Sequence, residues 1–131
     1  MKKIFIVDDE PDVNLSLKIV LENNGFKVDT FDDSLLALKN FREQAGLYDL
    51  IILDIKMPQM SGYELYKEIR KIDDKIKVCF FTASEAYYDE FRKSVPASMW
   101  NEDCYIQKPI NNKDLIKRIN NMITTTTTSS S

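Results

Sequence analysis

Histidine is missing from all 131 residues. That excludes a Ser-His-Asp triad, an imidazole metal ligand and any phosphohistidine carried by this chain. Cysteine is scarce: Cys79 lies inside the apolar run Val78-Cys79-Phe80-Phe81, and Cys104 stands far from it. Without CxxC spacing the two make no zinc site, and Cys79 reads as a small buried hydrophobe. No apolar stretch approaches the ~20 residues of a membrane span. Nor is there a signal-peptide core, because a strand-like pattern starts at Lys3. The expectation is a cytoplasmic protein without membrane contact. No Lys/Arg-rich cluster stands out, and 21 acidic against 18 basic residues leave a net charge of −3. Direct nucleic-acid binding is therefore not expected of this chain. Internal repeats are also lacking.

What is present alternates. Short apolar, β-branched runs predict strands near residues 3–7, 27–31, 49–53, 76–81 and 104–107. Helical periodicity fills the gaps. Val13, Leu17, Val20 and Leu21 form one stripe, with Pro11 at an early helical position and Asn24-Gly25 as a stop. A second helix begins after Asp32-Asp33-Ser34 and carries Leu35, Leu38 and Phe41. A third follows Ser61-Gly62 with Leu65 and Ile69, and a fourth is expected between Glu85 and Val95, ended by Pro96. A fifth runs from about Asn112 with Leu115, Ile119, Met122 and Ile123 on one face. Five strands alternating with five helices predict right-handed βαβ units and a covered parallel sheet. The domain spans 1–123. Residues 124–131, five Thr and three Ser, read as a disordered tail or linker.

Three carboxylates mark the ends of two of these strands. Ile4-Phe5-Ile6-Val7 runs into Asp8-Asp9, and Leu50-Ile51-Ile52-Leu53 runs into Asp54. In open α/β sheets the functional crevice lies beyond the carboxyl ends of the strands. Carboxylates gathered there repel, so one keeps a proton or a cation shares the charge. An all-oxygen donor set without histidine favours Mg²⁺. A third carboxylate could then act as a nucleophile and form an aspartyl phosphate. Thr82 and Lys108 end two further strands, offering a hydroxyl donor and an ammonium to a transferred phosphoryl group.

The segments Val7-Asp8-Asp9-Glu10, Asp54-Ile55-Lys56-Met57-Pro58-Gln59-Met60-Ser61-Gly62, Thr82-Ala83 and Tyr105-Ile106-Gln107-Lys108-Pro109 occur in this order, each at a strand end. Together they resemble the receiver domain of two-component response regulators over about residues 3–123. The resemblance implies a flavodoxin-like three-layer α/β sandwich with parallel strand order 2-1-3-4-5. It implies that Asp54 accepts phosphate from a phosphohistidine on a sensor histidine kinase or histidine phosphotransfer protein. Asp8, Asp9, Asp54 and the backbone carbonyl of Lys56 would hold Mg²⁺, and Lys108 would pair with the phosphoryl group. Thr82 and Tyr105 would form the switch, and Lys56 and Ser84 would modulate slow autodephosphorylation. A cis peptide is implied at Lys108-Pro109. Output would pass to a protein effector through the fourth helix, fifth strand and fifth helix, with a phosphorylation-dependent homodimer left open.

Some residues depart from that pattern or carry plainer readings. Thr82 to Lys108 spans 26 positions, a few more than the family usually has. Met99 and Trp100 occupy this extended loop, either as a docking tip or folded back onto the fourth helix. Tyr87, Phe91 and Val95 read as a core stripe, and Met57 and Met60 as packing. Glu10 is expected to tune the acidic pocket or cap the first helix. Competing classes fit less well. Aspartyl phosphatases commonly carry a second Asp two residues after the nucleophile, where this chain has Lys56. A flavin site would want a Ser/Thr/Gly-rich loop where Asp8-Asp9-Glu10-Pro11-Asp12 stands. A receiver-shaped protein that signals without phosphorylation is possible but unneeded.

Overall fold

The computed structural model describes residues 2–83, 89, 93, 104–108 and 110–124. Every expected strand forms: β1 (Lys3–Val7), β2 (Lys27–Phe31), β3 (Leu50–Leu53), β4 (Lys77–Thr82) and β5 (Cys104–Gln107). They pair in parallel in the order β2-β1-β3-β4-β5. The flavodoxin-like order expected from the resemblance is thus the observed one.

Side chains alternate across a strand, and that alternation builds two cores. Phe5, Val7, Ile51, Leu53, Val78 and Phe80 pack on one face of the sheet. Ile4, Ile6, Ile52, Cys79, Phe81 and Ile106 pack on the other. Both faces are covered, which is why these runs are apolar throughout rather than alternating. Cys79 is fully buried, as its apolar neighbours predicted.

The described residues include four helices: α1 (Pro11–Asn23), α2 (Ser34–Glu43), α3 (Gly62–Ile72) and a C-terminal helix (Asn112–Thr124). Leu17 and Leu21 of α1 join the second core with Leu115, Ile119 and Ile123 of the C-terminal helix. Helices α2 and α3 close the first core through Ala37, Leu38, Phe41, Leu65, Tyr66 and Ile69. One expectation for α2 changes: Leu35 is half exposed, and Ser34 and Ala37 complete the buried stripe with Leu38 and Phe41. Asp33 caps this helix, its carboxylate accepting from the Leu36 N–H at 3.0 Å. Helix α3 starts with a capping box, in which Ser61 and Glu64 each bond the other's backbone N–H. Apart from Asp89 and Lys93, the segment expected to form the fourth helix lies outside the described residues, as do Ser84, Tyr87, Phe91, Val95, Pro96, Met99, Trp100 and Pro109. So does the tail beyond Thr124.

The loop joining β3 to α3 folds tightly back on its strand. The Gly62 N–H donates to the Ile55 carbonyl at 2.6 Å. A Cβ on Gly62 would overlap the Asp54 carbonyl oxygen and come within 2.7 Å of the Ile55 Cα. Both obstacles are backbone and cannot swing aside. Within the same loop Gln59 holds φ at 67°, with the Met60 N–H on the Pro58 carbonyl at 2.7 Å. Gly62→Ala should therefore destabilise the fold by about 1–3 kcal/mol through overpacking, read as a lower urea midpoint at unchanged slope.

Candidate functional site

Parallel register brings the strand ends together. Val7 pairs with Leu53, Leu53 with Phe80, and Phe80 with Tyr105. The ladder continues one step beyond the strands: Asp8 N–H to Phe31 carbonyl (3.1 Å), Asp54 N–H to Val7 carbonyl (2.9 Å) and Lys108 N–H to Thr82 carbonyl (2.9 Å). Asp8, Asp54, Thr82 and Lys108 therefore stand at one edge of the sheet. A cleft of about 460 Å³ opens there, lined by Asp9, Glu10, Asp54, Lys56, Thr82 and Lys108 among others.

Lys108 is the electrostatic centre. Its Nζ lies 2.7 Å from Asp8 Oδ2, 3.7 Å from Glu10 Oε1 and 3.8 Å from Asp54 Oδ2. The first is a charge-assisted hydrogen bond and the other two are looser ion pairs. Phe81 supports the ammonium from below, its ring centroid 5.4 Å away. Burial works against the charge on Lys108; the Asp8 hydrogen bond and the Asp54, Asp8 and Glu10 carboxylates outweigh it and raise its pKa. The lysine stays protonated at any physiological pH.

Its carboxylate neighbours respond in the opposite sense to an exposed acid. Asp8 is 2% exposed and Asp54 6%. Desolvation raises the pKa of Asp8 in spite of Lys108 and the Glu10 N–H. Asp54 is pushed up to about 6, first by burial and then by the charge on Asp8, with Lys108 only partly compensating. Carboxylate oxygens of Asp8, Asp9, Glu10 and Asp54 all lie within 4.8 Å of one another. That crowding, and the raised Asp54, fit a place for a hard divalent cation.

The remaining expected residues fall into place unevenly. Thr82 is buried and lines the cleft. Lys56 is exposed at the cleft wall. Tyr105 is partly buried against the first core. Met57 is buried and Met60 partly so, which matches their packing roles. Glu10 occupies the N-cap position of α1, yet its side chain makes no capping bond. Of its two expected roles, the structure favours the charge contact with Lys108.

One residue of the site escaped the sequence reading. Asn14 is 5% exposed on the inner face of α1. Its side chain meets the backbone of Asp8. The only signal was a polar amide beside the apolar positions Val13 and Leu17.

Because the folded pKa of Asp54 exceeds the ordinary 3.8, the folded state binds this proton more tightly than the unfolded chain. Its stabilising contribution is complete below that value and is lost as pH rises through about 6. In metal-free buffer, Asp54→Asn should therefore gain about 1–2 kcal/mol on the parent between acid and neutral pH, after allowance for solvent screening. Urea unfolding at the two pH values measures this. Parallel pH profiles would contradict it.

Comparison with known proteins places this geometry. The family model "Response regulator receiver domain" matches residues 4–120. A transcriptional regulatory protein CpxR homolog of Haemophilus influenzae is 34% identical over 119 residues, covering 91% of this chain and 49% of that protein. The response regulator SaeR of Staphylococcus aureus is 31% identical over 124 residues, covering 95% of this chain and 51% of that protein. The chain thus spans about half the length of the curated relatives it matches. The response regulator TrrA of Thermotoga maritima, solved in complex with Mg²⁺-BeF, is 38% identical, with a TM-score of 0.78 over 93% of this chain and 99% of that one. TrrA has also been solved in complex with the histidine kinase ThkA; that chain aligns at 37% identity and a TM-score of 0.74, over 93% and 98%.

Proposed function

The chain belongs to the response regulator receiver domain family, and from that premise we propose that it is a phosphorylation-controlled switch whose phosphoacceptor is Asp54. The observation that carries this reading is the placement of a buried carboxylate, Asp54, in an open cleft 3.8 Å from a protonated lysine and beside three more carboxylates.

The donor would be a phosphohistidine on a sensor histidine kinase or histidine phosphotransfer protein. TrrA, a relative of the same fold, was solved with a histidine kinase, which supports a partner of that kind here. An Asp54 carboxylate oxygen attacks phosphorus, the P–N bond to the donor imidazole breaks, and an acyl phosphate remains on Asp54. Only the ionised carboxylate can do this, so the raised pKa of Asp54 matters unless a cation lowers it. Asp8, Asp9, Asp54 and the Lys56 carbonyl would hold Mg²⁺, whose charge would offset that of the phosphoryl oxygens. TrrA was solved with Mg²⁺-BeF, and the crowded all-oxygen cluster of this chain suits the same kind of ion.

Lys108 begins paired with Asp8 and within reach of Asp54. A phosphoryl group of about −1.5 to −2 charge on Asp54 competes for that ammonium. The Thr82 hydroxyl, at the end of β4, would donate to a phosphoryl oxygen, and Tyr105 on the neighbouring strand would repack behind it. Those shifts alter the surface around β5 and the C-terminal helix, where a protein effector or a second phosphorylated copy would bind. Water attack on phosphorus then releases inorganic phosphate and restores the carboxylate. Lys56 and Ser84 would set the rate of that step by covering the acyl phosphate. Catalysis by the domain is limited to this self-directed chemistry, in the cytoplasm.

Incubation with acetyl phosphate and Mg²⁺ should add one phosphoryl group, seen by mass spectrometry, and Asp54→Asn should abolish it. An unmodified parent chain would defeat the reading, as would equal modification of the variant. Lys56→Ala and Ser84→Ala should change the decay rate of the acyl phosphate by about two- to tenfold, within the range of a single lost polar contact. Unaltered decay in both would remove these residues from that role.

A further inference from the structure

Asp8 has every polar atom engaged. Its N–H donates to the Phe31 carbonyl at 3.1 Å. Its Oδ1 accepts the Glu10 N–H at 2.9 Å, and its Oδ2 accepts Lys108 at 2.7 Å. The fourth tie comes from outside the strand ends: the carbonyl of Asp8 accepts Asn14 Nδ2 at 2.8 Å. The same Nδ2 donates its second hydrogen to the Phe31 carbonyl at 3.1 Å. Both partners are carbonyl oxygens, so the amide must present nitrogen to them and its orientation is fixed by chemistry.

We infer that Asn14 is a positioning residue for the cation site: its amide holds the Asp8 carbonyl and thereby sets the turn that carries Asp8 and Asp9. This rests on the proposed Mg²⁺-dependent function and adds a residue outside the acidic cluster to it. Two features favour the inference over plain packing. Asn14 lies in the buried stripe of α1, where an aliphatic side chain would serve the core. Its Oδ1 is buried without a hydrogen-bond partner among the described residues, a cost that an aliphatic residue would not carry. What the amide supplies in return is two N–H donors, and one of them goes to the backbone of Asp8. Hydrogen bonds to metal-ligating side chains control their orientation, and losing one commonly weakens metal affinity about ten- to a hundredfold. A tie to the backbone that carries the ligand acts one step removed, at the lower end of that range.

A built-in control separates positioning from tethering. One turn further along α1, Lys18 Nζ donates to the Val28 carbonyl of β2 at 2.8 Å. Lys18 thus also fastens α1 to β2, but it does not touch Asp8. Mg²⁺ dissociation constants by calorimetry, together with urea stability, should be compared for the parent, Asn14→Leu, Asn14→Ser and Lys18→Met. Asn14→Leu should weaken Mg²⁺ about tenfold, and Asn14→Ser comparably, because its hydroxyl sits one bond short of the amide nitrogen and does not reach the Asp8 carbonyl. Lys18→Met should lose stability yet keep the parental affinity. Acetyl phosphate labelling should be slow in Asn14→Leu at limiting Mg²⁺ and recover at saturating Mg²⁺. Parental affinity in Asn14→Ser, or an equal loss in Lys18→Met, would overturn the role. A parent chain that takes neither Mg²⁺ nor phosphate would instead bring down the functional reading itself, and this inference with it.

Discussion

Like charges held close at one edge of a sheet are the constraint around which this molecule is arranged. Two carboxylates 4 Å apart repel by about 4 kcal/mol at an effective dielectric of 20, and here four share oxygens within 4.8 Å. The Lys108 ammonium, 2.7 Å from Asp8, relieves only part of that. Burial first, and the charge on Asp8 after it, push the pKa of Asp54 up to about 6. A site left short of positive charge suits a hard cation.

The rest of the fold makes that concentration of charge tolerable. Backbone pairing runs one residue past β1, β3 and β5, so Asp8, Asp54 and Lys108 are held by the sheet ladder rather than by loose loops. Two well-packed cores beneath them supply the stabilisation that a strained edge consumes. Phe5 shows the density of one core, with Phe31, Tyr48 and Phe41 ring centroids at 4.7, 4.9 and 5.6 Å. Gly62 permits the β3–α3 loop to lie on the Asp54 backbone, which keeps Lys56 at the cleft wall. Chemistry and architecture thus meet in the same few backbone atoms.

Strand positions could be read closely because buried parallel strands are short, apolar and β-branched, and polar residues bound them sharply. Helix faces were read nearly as well from their periodicity. Leu35 misled because apolar spacing does not fix the phase of a short helix: with Asp33 as its cap, α2 leaves both Leu35 and Leu36 half exposed and turns Ser34, Ala37, Leu38 and Phe41 inward. Glu10 was open between capping and pocket for a similar reason. At the N-cap its backbone takes the helical bonds, while its carboxylate lies 3.7 Å from Lys108, a residue 98 positions away in sequence. Asn14 could not be foreseen as a partner of Asp8, since a polar residue in an apolar stripe carries no record of the backbone it meets.

By itself, the order of residues determined the element types, the strand-end placement of Asp8, Asp9, Asp54, Thr82 and Lys108, and the family to which they belong. Those features are local, set by side-chain chemistry and period. Tertiary structure alone decided distances, and distances decide electrostatics. That Lys108 closes on Asp8 more tightly than on Asp54, and that Asp54 holds its proton to about pH 6, follow from register and burial. So does the tie from Asn14 to the Asp8 carbonyl. Such quantities arise only once distant segments share one low-dielectric edge.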